Sequence, residues 1–518
     1  MTKKLSNKRN TTSQEKEATK LSTKSLKQPN GQPHPKVFKK IVIDPVTRVE
    51  GHGKVTIHLN DNNEIEEARF HIVEFRGFEK FIQGRPYWEA PVLVQRLCGI
   101  CPVSHHLVAA KAIDKIVGVE ADGLSAVGEK MRRLMHYGQV FQSHALHFFY
   151  LAAPDLLFGF DAKPEKRNIV GIIQEHKELA IRGIQLRKFG QEIIKATAGK
   201  KIHGISAVPG GIHKNLSLDE VKFFLDGKEV PSVQTCITWV EETIEFIKDY
   251  HKKNSHWIDG FCDFDSNHLS LVGTNNELDL YHGKLRAIDS KGNIILNDID
   301  SQDYLQYFEE DVRSWTYLKF PYLKTLGPKN GWNRVGPLAR LNVCEFIPSP
   351  KAQDRLEEFR RFSGSRIVNK SLYYHWARLI EMLHCAEYMQ NLLQDSDLQS
   401  KDLIRKGKRN REGIGVIEAP RGTLLHHYTV EDNDEISRCN LIVSTTHNNE
   451  AMNQAVKLVA QRKISGQSII EEGMLNEIEV AIRAYDPCLS CATHAIGQMP
   501  LHVALFSPHG EIIQEVHK

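Results

Sequence analysis

The sequence lacks long apolar runs and nucleotide-binding signatures. No stretch approaches the ~18 consecutive apolar residues of a membrane-spanning helix, so a membrane span is not expected. No Gly-x-Gly-x-x-Gly fingerprint follows a strand. The loop at residues 51–54 is not a phosphate loop, because Val55 stands where Ser or Thr is required. A recognisable nucleotide site is therefore excluded.

Cysteine is scarce, with nine in 518 residues. The odd count and the lack of an apolar, signal-like segment near the start argue against disulfides and export. We therefore expect a cytoplasmic protein. Five cysteines have no ligand-like spacing and are expected to be small buried apolar residues; these are Cys236, Cys262, Cys344, Cys385 and Cys439.

Positive charge is concentrated at one end of the chain. Residues 1–40 hold eleven Lys or Arg against two Glu, although the whole chain carries only +4. Residues 1–36 are rich in Lys, Ser, Thr, Asn and Gln, which predicts a disordered basic tail. A transit peptide or a nucleic-acid-binding arm is less favoured than a plain solvated tail, so no nucleic-acid partner is expected.

Length alone suggests two or three domains, and order is expected to begin near Val37. Hydrophobic periodicity predicts an α+β fold that is mainly α, with a large helical core and small β patches near both termini. Helices are predicted at residues 107–117, 126–152, 180–197, 231–252, 356–361, 371–393, 450–463 and 476–484. Strands are predicted at residues 53–59, 68–73, 285–296 (a hairpin), 415–419, 423–430 and 441–444. Three histidines on one predicted helix are expected to be core residues: His136, His144 and His147.

Two Cys-x-x-Cys pairs lie near opposite ends of the chain. Each is followed closely by a histidine: Cys98, Cys101 and His105 in the first, and Cys488, Cys491 and His494 in the second. Four thiolates suit zinc, an iron–sulfur cluster or another soft metal. Structural zinc pairs are usually about 15–20 residues apart, and a thioredoxin-like motif needs only one pair. This spacing therefore favours a metal centre that only the completed fold assembles.

The motifs Arg-x-Cys-Gly-x-Cys-x-x-x-His and Asp-Pro-Cys-x-x-Cys-x-x-His resemble those of the large subunit of [NiFe]-hydrogenases. Three further segments resemble signatures of that family, in the same order: residues 44–52, 76–79 and 418–422. Residues 98–106, 317–322 and 335–344 resemble most closely the cytoplasmic, bidirectional, NAD-reducing subgroup. A quinone-reductase subunit of the same ancestry is disfavoured, because those relatives lack the four cysteines.

The resemblance implies a nickel–iron centre that cleaves H2 reversibly and heterolytically. All four thiolates would bind nickel. Cys98 and Cys488 would be terminal ligands, while Cys101 and Cys491 would also bridge to an iron that carries CO and cyanide. The rival interpretation from the residues alone is a structural zinc-binding scaffold.

The resemblance also implies a path for the proton. Cys488 would accept it first and Glu50 would relay it, since a carboxyl can carry a proton when its two forms are close in energy. Arg421 resembles the guanidinium above the open metal position, and it is an alternative first acceptor. His105 and Asp486 resemble residues that orient the ligands by hydrogen bonds.

A second metal site is implied nearby. Glu79, His494 and the backbone carbonyl of Leu441 resemble the ligands of a Mg²⁺ or iron ion. Residues 444–448 differ from the Pro-Thr-Thr-Trp-Asn form common in the family, so contacts to the cyanide ligands are left open.

The resemblance further implies partners and processing. A small subunit with Fe–S clusters would take the electrons, and diaphorase subunits would carry FMN and bind NAD; NADP, a deazaflavin or polysulfide are alternative acceptors. Residues 37–494 would form the large-subunit domain that carries the nickel–iron site, and residues 495–518 would be an extension of an unprocessed precursor. A maturation endopeptidase would cut between His494 and Ala495 once nickel chaperones have loaded the metal.

Overall fold

A computed structural model describes residues 39–119, 123–494, 502–506 and 512–517. The predicted tail at residues 1–36 and the cleavage position at Ala495 lie outside these ranges. Within them, no helix is both long and apolar enough to cross a bilayer.

The described helices are α1 (Phe78–Phe81), α2 (Ala90–Leu93), α3 (Pro102–Ile116), α4 (Ala126–Leu146), α5 (Ala153–Phe158), α6 (Ile169–Glu175), α7 (Lys177–Ala198), α8 (Leu218–Asp226), α9 (Val233–Phe261), α10 (Tyr304–Tyr307), α11 (Gly327–Asn330), α12 (Pro337–Val343), α13 (Pro350–Ser363), α14 (Tyr373–Leu393), α15 (Ser444–His447), α16 (Asn449–Lys463) and α17 (Glu472–Arg483). Short 3₁₀ turns cover Tyr87–Glu89, Val94–Leu97, Ser301–Asp303, Lys324–Leu326 and Ser396–Gln399, and a π-helix covers His147–Ala152.

The described strands are β1 (Lys39–Ile43), β2 (Gly53–Leu59), β3 (Ile65–Ile72), β4 (Ala207–Val208), β5 (Gly211–Ile212), β6 (Asn267–Val272), β7 (Lys284–Ile288), β8 (Ile294–Ile299), β9 (Phe308–Asp311), β10 (Phe320–Leu323), β11 (Asn333–Arg334), β12 (Glu412–Ala419), β13 (Gly422–Val430), β14 (Ile436–Ile442), β15 (His502–Phe506) and β16 (Ile512–His517). They form small sheets, of which β1–β2–β3, β12–β13–β14 and β11–β6–β7–β8 are the largest.

Long helices form the core of the molecule. Helix α4 packs against α7 and α14, and α14 packs against α9. Helix α14 is buried on nearly all sides, which is typical of a central helix rather than a surface helix.

His136, His144 and His147 are buried on or just beyond α4 and bond to protein groups, as expected of core residues. The mainly helical α+β class is confirmed.

Helix α3 lies directly on the sheet β12–β13–β14. A Cβ atom on Gly413 would lie 2.0 Å from Ala112 O, and one on Gly415 would lie 2.2 Å from Val108 O. Because glycine has no side chain, β12 and the α3 backbone can approach this closely. This contact anchors the helix that begins immediately after Cys101.

Several predicted boundaries were wrong: for example, the helix predicted at 107–117 begins at Pro102, and the helix predicted at 356–361 covers Pro350–Ser363. Three other differences have a particular physical reason. The predicted strand 441–444 ends at Ile442, because Ser444 donates to Gly422 O at 2.7 Å and begins α15. The predicted helix 231–252 continues to Phe261, since its apolar face continues to that residue. The predicted helix 126–152 changes to a π-helix at His147, ahead of Pro154, which lacks the N–H that would continue the ladder.

A fully buried ion cluster joins α12, α14 and the end of β12. Arg340 donates to Glu381 at 2.5 and 2.6 Å and to Glu418 at 2.9 Å, and all three side chains are 0% exposed. Burial alone would raise the pKa of Glu381, but the charge of Arg340 lowers it to about 2. Arg340 also donates to the backbone carbonyls of residues 419–420. The cluster therefore holds the segment that leads into Arg421.

We expect Arg340→Ala to lower the free energy of unfolding by about 3–5 kcal/mol, because it leaves carboxylates buried without their cation. The thermal unfolding midpoint measures this loss. The matched control is Arg366→Ala: Arg366 and its partner Glu345 are 48% and 40% exposed, and such a pair contributes less than about 1 kcal/mol. Equal midpoints for the two variants would contradict the assigned role of the cluster.

Candidate metal centre

The fold brings the two Cys-x-x-Cys pairs together. Cys98 Sγ lies 3.3 Å from Cys488 Sγ, Cys101 Sγ lies 3.4 Å from Cys491 Sγ, and the sulfurs of Cys488 and Cys491 are 2.7 Å apart. All four sulfurs lie within 4.8 Å of one another, and all four residues are buried. The arrangement is a compact set of soft donors, which suits a soft metal ion.

The first pair is shaped by the turn into α3. Cys101 precedes Pro102, and proline at the first helical position suits the start of a helix. The backbone N–H groups of Ile100 and Cys101 donate to Cys98 Sγ at 3.2 and 3.3 Å. Both sulfurs are therefore directed to the same side of one tight turn.

The second pair follows α17, which is clamped to the segment before Glu50. The Thr47 N–H and hydroxyl donate to Glu479 at 2.8 and 2.9 Å, and Arg483 Nε donates to Thr47 O at 3.0 Å. This clamp places Glu50 beside Cys488, and the backbones of these two residues form an isolated parallel β-bridge.

The thiols compete for protons. Hydrogen bonds from Cys488, Cys491 and Cys98 lower the pKa of Cys101 well below its usual value. Burial, followed by hydrogen bonds within the cluster, raises the pKa of Cys488 and Cys491 well above theirs. Four thiolates at this separation repel one another, so full ionisation requires a bound cation.

Glu50 contacts the centre directly. Cys488 Sγ donates to Glu50 Oε2 at 3.0 Å, and Ser490 N donates to the same oxygen at 3.1 Å. The Ser490 hydroxyl donates to Glu50 Oε1. A carboxylate that bonds both a sulfur and a hydroxyl has the geometry of a proton relay.

Arg421 is held beside the sulfurs. Its Nε donates to Asp486 O at 2.5 Å and its Nη2 to Asp486 Oδ1 at 3.0 Å. Burial alone would lower the pKa of Arg421, but Asp486 and the sulfurs of Cys488 and Cys101 raise it. Arg421 Nη1 is buried without a hydrogen-bond partner among the described residues.

A small cavity of about 10 Å³ adjoins the sulfurs. Apolar and polar groups both line it; those outside the cysteines include Ala419, Pro420, Leu424, Arg421, Ser444 and Thr445. The hydroxyl of Thr445 accepts a hydrogen bond from Cys488 N at 3.0 Å. This bond connects the cavity lining to the second Cys-x-x-Cys pair.

His105 lies between the first pair and the sheet. It hydrogen-bonds to Cys101, and its Nδ1 lies 3.2 Å from Nε2 of His426. His426 Nδ1 is in turn 2.8 Å from the Tyr428 hydroxyl. This buried chain fixes the orientation of the imidazole beside the sulfur.

The residues predicted for a second metal site meet only in part. Glu79 accepts a hydrogen bond from Leu441 N at 2.9 Å, so the contact shown is to the amide rather than to the carbonyl. Burial lowers the pKa of His494 to about 3. The neutral His494 points Nε2 at Cys491 O, and Nδ1 has no partner within the described ranges. A neutral imidazole with an unused nitrogen is a suitable metal ligand.

Sequence profiles of known families match most of the chain. The profile described as nickel-dependent hydrogenase matches residues 76–165 and 280–494, more than half of the chain, and one described as HoxL-like matches residues 40–75. The chain belongs to the nickel-dependent hydrogenase family. The resemblance drawn from the cysteine motifs is thereby confirmed.

Individual hydrogenases align over nearly their whole length. The NAD-reducing hydrogenase HoxS subunit beta of Cupriavidus necator is 50% identical, covering 92% of this chain and 99% of the relative. One subunit of the F420-non-reducing hydrogenase of Methanothermobacter marburgensis is 42% identical, covering 92% and 100%. A crystal structure of an NAD⁺-reducing [NiFe]-hydrogenase in the H2-reduced state matches with a TM-score of 0.85 and 55% identity, covering 88% and 99%.

Several hydrogenase-site residues were not found from the sequence. Ser490 and Thr445 contact Glu50 and Cys488, and His426 supports His105. The position of Ser490 inside the second Cys-x-x-Cys pair was a usable signal. Thr445 lies in residues 444–448, which resemble a family motif, but no role was assigned to it. No local pattern distinguished His426, because its role comes from a contact between distant segments.

Proposed function

We propose that this chain is the catalytic subunit of a [NiFe]-hydrogenase that couples reversible H2 cleavage to NAD reduction on partner subunits. The observation that carries the proposal is the convergence of four buried sulfurs with the Glu50 carboxylate, which bonds to Cys488, and with Arg421, which lines the adjoining cavity. When bound, the nickel–iron pair supplies the electrophilic position at which H2 is polarised.

The chain would hold this centre through its cysteines. We assign Cys98 and Cys488 to nickel alone, and Cys101 and Cys491 to both metals. The groups that line the adjoining cavity support CO and cyanide on the iron, since the apolar ones suit CO and the donors Arg421 and Thr445 suit cyanide.

The proton leaves through this chain's own groups. Cys488 would take it and pass it to Glu50 Oε2, along the 3.0 Å hydrogen bond. Arg421 remains the alternative first acceptor. Asp486 holds the Arg421 guanidinium in place through two hydrogen bonds, and His105 orients Cys101.

A Mg²⁺ or Fe²⁺ ion is proposed between Glu79, Leu441 and His494. Burial raises the pKa of Glu79, and a bound cation would offset that cost by stabilising the carboxylate. The unused His494 Nδ1 and the oxygen donors fit such an ion.

The proposed partners are diaphorase subunits that carry FMN and bind NAD, together with a small Fe–S subunit. The proposed compartment is the cytoplasm, where the NAD pool resides. The 50% identity to an NAD-reducing hydrogenase subunit supports NAD over NADP, a deazaflavin or polysulfide. Because the chain belongs to the nickel-dependent hydrogenase family, no observation favours the alternative of a structural zinc-binding scaffold.

Purification of the assembled enzyme tests the proposal. We expect H2-dependent reduction of NAD, one nickel per chain with an excess of iron from the Fe–S clusters, and infrared bands from CO and cyanide. Zinc as the sole metal, with neither band present, would refute it; reduction of another acceptor in place of NAD would refute only the coupling.

We further propose that an endopeptidase removes residues 495–518. Strands β15 and β16 pair as an antiparallel hairpin within that extension. If the extension is removed, mass spectrometry of the active enzyme should show a chain that ends at His494. A His494→Ala variant that cannot mature should retain the full mass. A full-length chain in the active enzyme would refute processing.

A further inference from the structure

Polar side chains lead from Glu50 to the protein surface. Glu50 Oε2 faces Cys488 and Oε1 accepts from the Ser490 hydroxyl. Nearer the surface, Glu74 Oε1 contacts Nδ1 of His52. The side chain of Glu74 is 19% exposed and that of His52 is 71% exposed. One pair of residues therefore starts at a sulfur of the metal centre and the other ends in bulk water, and a link between Ser490 and Glu74 would join them.

Gly51 lies between Ser490 and Glu74. Its φ is +86°, and a Cβ atom there would lie 2.9 Å from Leu489 Cβ and Ser490 N and 3.4 Å from Glu74 Oε2. Because glycine has no side chain, both residues can approach its backbone. Ser490 and Glu74 therefore lie near each other on either side of Gly51, and we take one water molecule to bridge the gap between them.

Glu74 Oε2 has a property that independently points to this role. The atom is buried, yet it has no hydrogen-bond partner among the described residues. Buried carboxylate oxygens are ordinarily paired with protein or ordered water. An oxygen in this position, facing the gap beside Gly51, is suited to bind the bridging water.

We propose that Glu74 and His52 form an exit route for protons released at the metal centre; this rests on the proposed relay by Glu50. The Ser490 hydroxyl, which donates to Glu50 in the structure, first turns to the water. Protonated Glu50 then gives its proton to the Ser490 oxygen as the Ser490 hydroxyl proton passes through the water to Glu74. Glu74 then protonates His52 at Nδ1.

The last step returns the route to its starting state. His52 releases the proton on Nε2 to bulk water, and rotation of the exposed ring or exchange with solvent restores the first tautomer. One proton enters at Glu50 and one leaves at His52, with no transfer of electrons. Imidazole is the side chain suited to exchange protons with water near neutral pH.

The test compares two reactions of the complete enzyme. Conversion of para-H2 to ortho-H2 requires cleavage and recombination at the centre, whereas exchange of D2 with H2O also requires protons to reach solvent. We expect Glu74→Gln to lower the ratio of exchange to conversion at least ~10-fold. Glu74→Asp, which retains a carboxyl, should preserve most of the ratio.

His52→Gln tests the final step. In weakly buffered solution we expect its ratio to fall like that of Glu74→Gln. Added imidazole should restore it, because dissolved imidazole can take the proton from Glu74, whereas it should not restore Glu74→Gln. Matched controls on β3 and β2 are Glu66→Gln and His58→Ala, which should keep the wild-type ratio.

A wild-type ratio in Glu74→Gln would overturn the proposal, as would an equal fall in Glu66→Gln or a failure of imidazole to restore His52→Gln. A fall in Glu50→Gln without a fall in Glu74→Gln would refute the exit route and leave the Glu50 relay intact. Absence of both reactions in the wild-type enzyme would refute the hydrogenase function itself.

Discussion

Cys491→Ala is expected to yield a protein without nickel and without H2-cleaving activity. Cys491 is fully buried and its sulfur lies 2.7 Å from Cys488 Sγ and 3.4 Å from Cys101 Sγ. Removing it deletes one of the four soft donors and, in our assignment, a bridge to iron. Soft ions depend on such thiolates, so the remaining three cysteines should not retain the metal pair.

Cys385→Ala is the matched control. Cys385 is a buried thiol on α14, and its loss removes a sulfur from the core without touching the centre. We expect it to keep one nickel per chain and wild-type activity at a modest cost in stability. Nickel would be measured by elemental analysis of the purified complexes; a Cys491→Ala enzyme with full nickel content would contradict the assigned ligand set.

Glu50→Gln is expected to lower H2-dependent NAD reduction about 10²–10⁴-fold, the range typical of losing a proton-transfer group. Glutamine has nearly the same shape and can accept the hydrogen bond from Ser490 N. It has no proton to relay, so nickel and iron contents should be unchanged while turnover falls.

The control for this variant is Glu64→Gln, in the turn between β2 and β3. Glu64 is exposed and bonds to Asn60, so its replacement should leave turnover near that of the wild type. Full activity in Glu50→Gln would remove Glu50 from the proton path and favour Arg421 as the acceptor. Loss of metal in Glu50→Gln would assign it a structural role instead.

Helices with a continuous apolar pattern were predictable from the sequence alone. The stretch that became α14 and the hairpin of β7 and β8 were found because their periodicity and turn residues are local. Helix α8 was missed although Ser217 and Glu220 form a capping box, a signal that was available. The change to a π-helix at His147 was less accessible, since it depends on how the chain accommodates Pro154 while packing in the core.

In the candidate site, too, some residues were identifiable from the sequence and others are brought together only by the fold. Spacing and family resemblance selected the four cysteines and Glu50, whose residue types carry the chemistry. The partners of Glu50 did not follow from local sequence, since Ser490 lies 440 positions away along the chain. That contact exists because Thr47 and Arg483 clamp two distant segments together, and only the assembled fold determines it.

Nickel K-edge X-ray absorption of the purified enzyme tests the central claim most directly. The four buried sulfurs predict a nickel ion whose nearest neighbours are predominantly sulfur, with an iron atom in the next shell. Nickel surrounded by nitrogen and oxygen, or a protein that contains zinc in its place, would contradict the account.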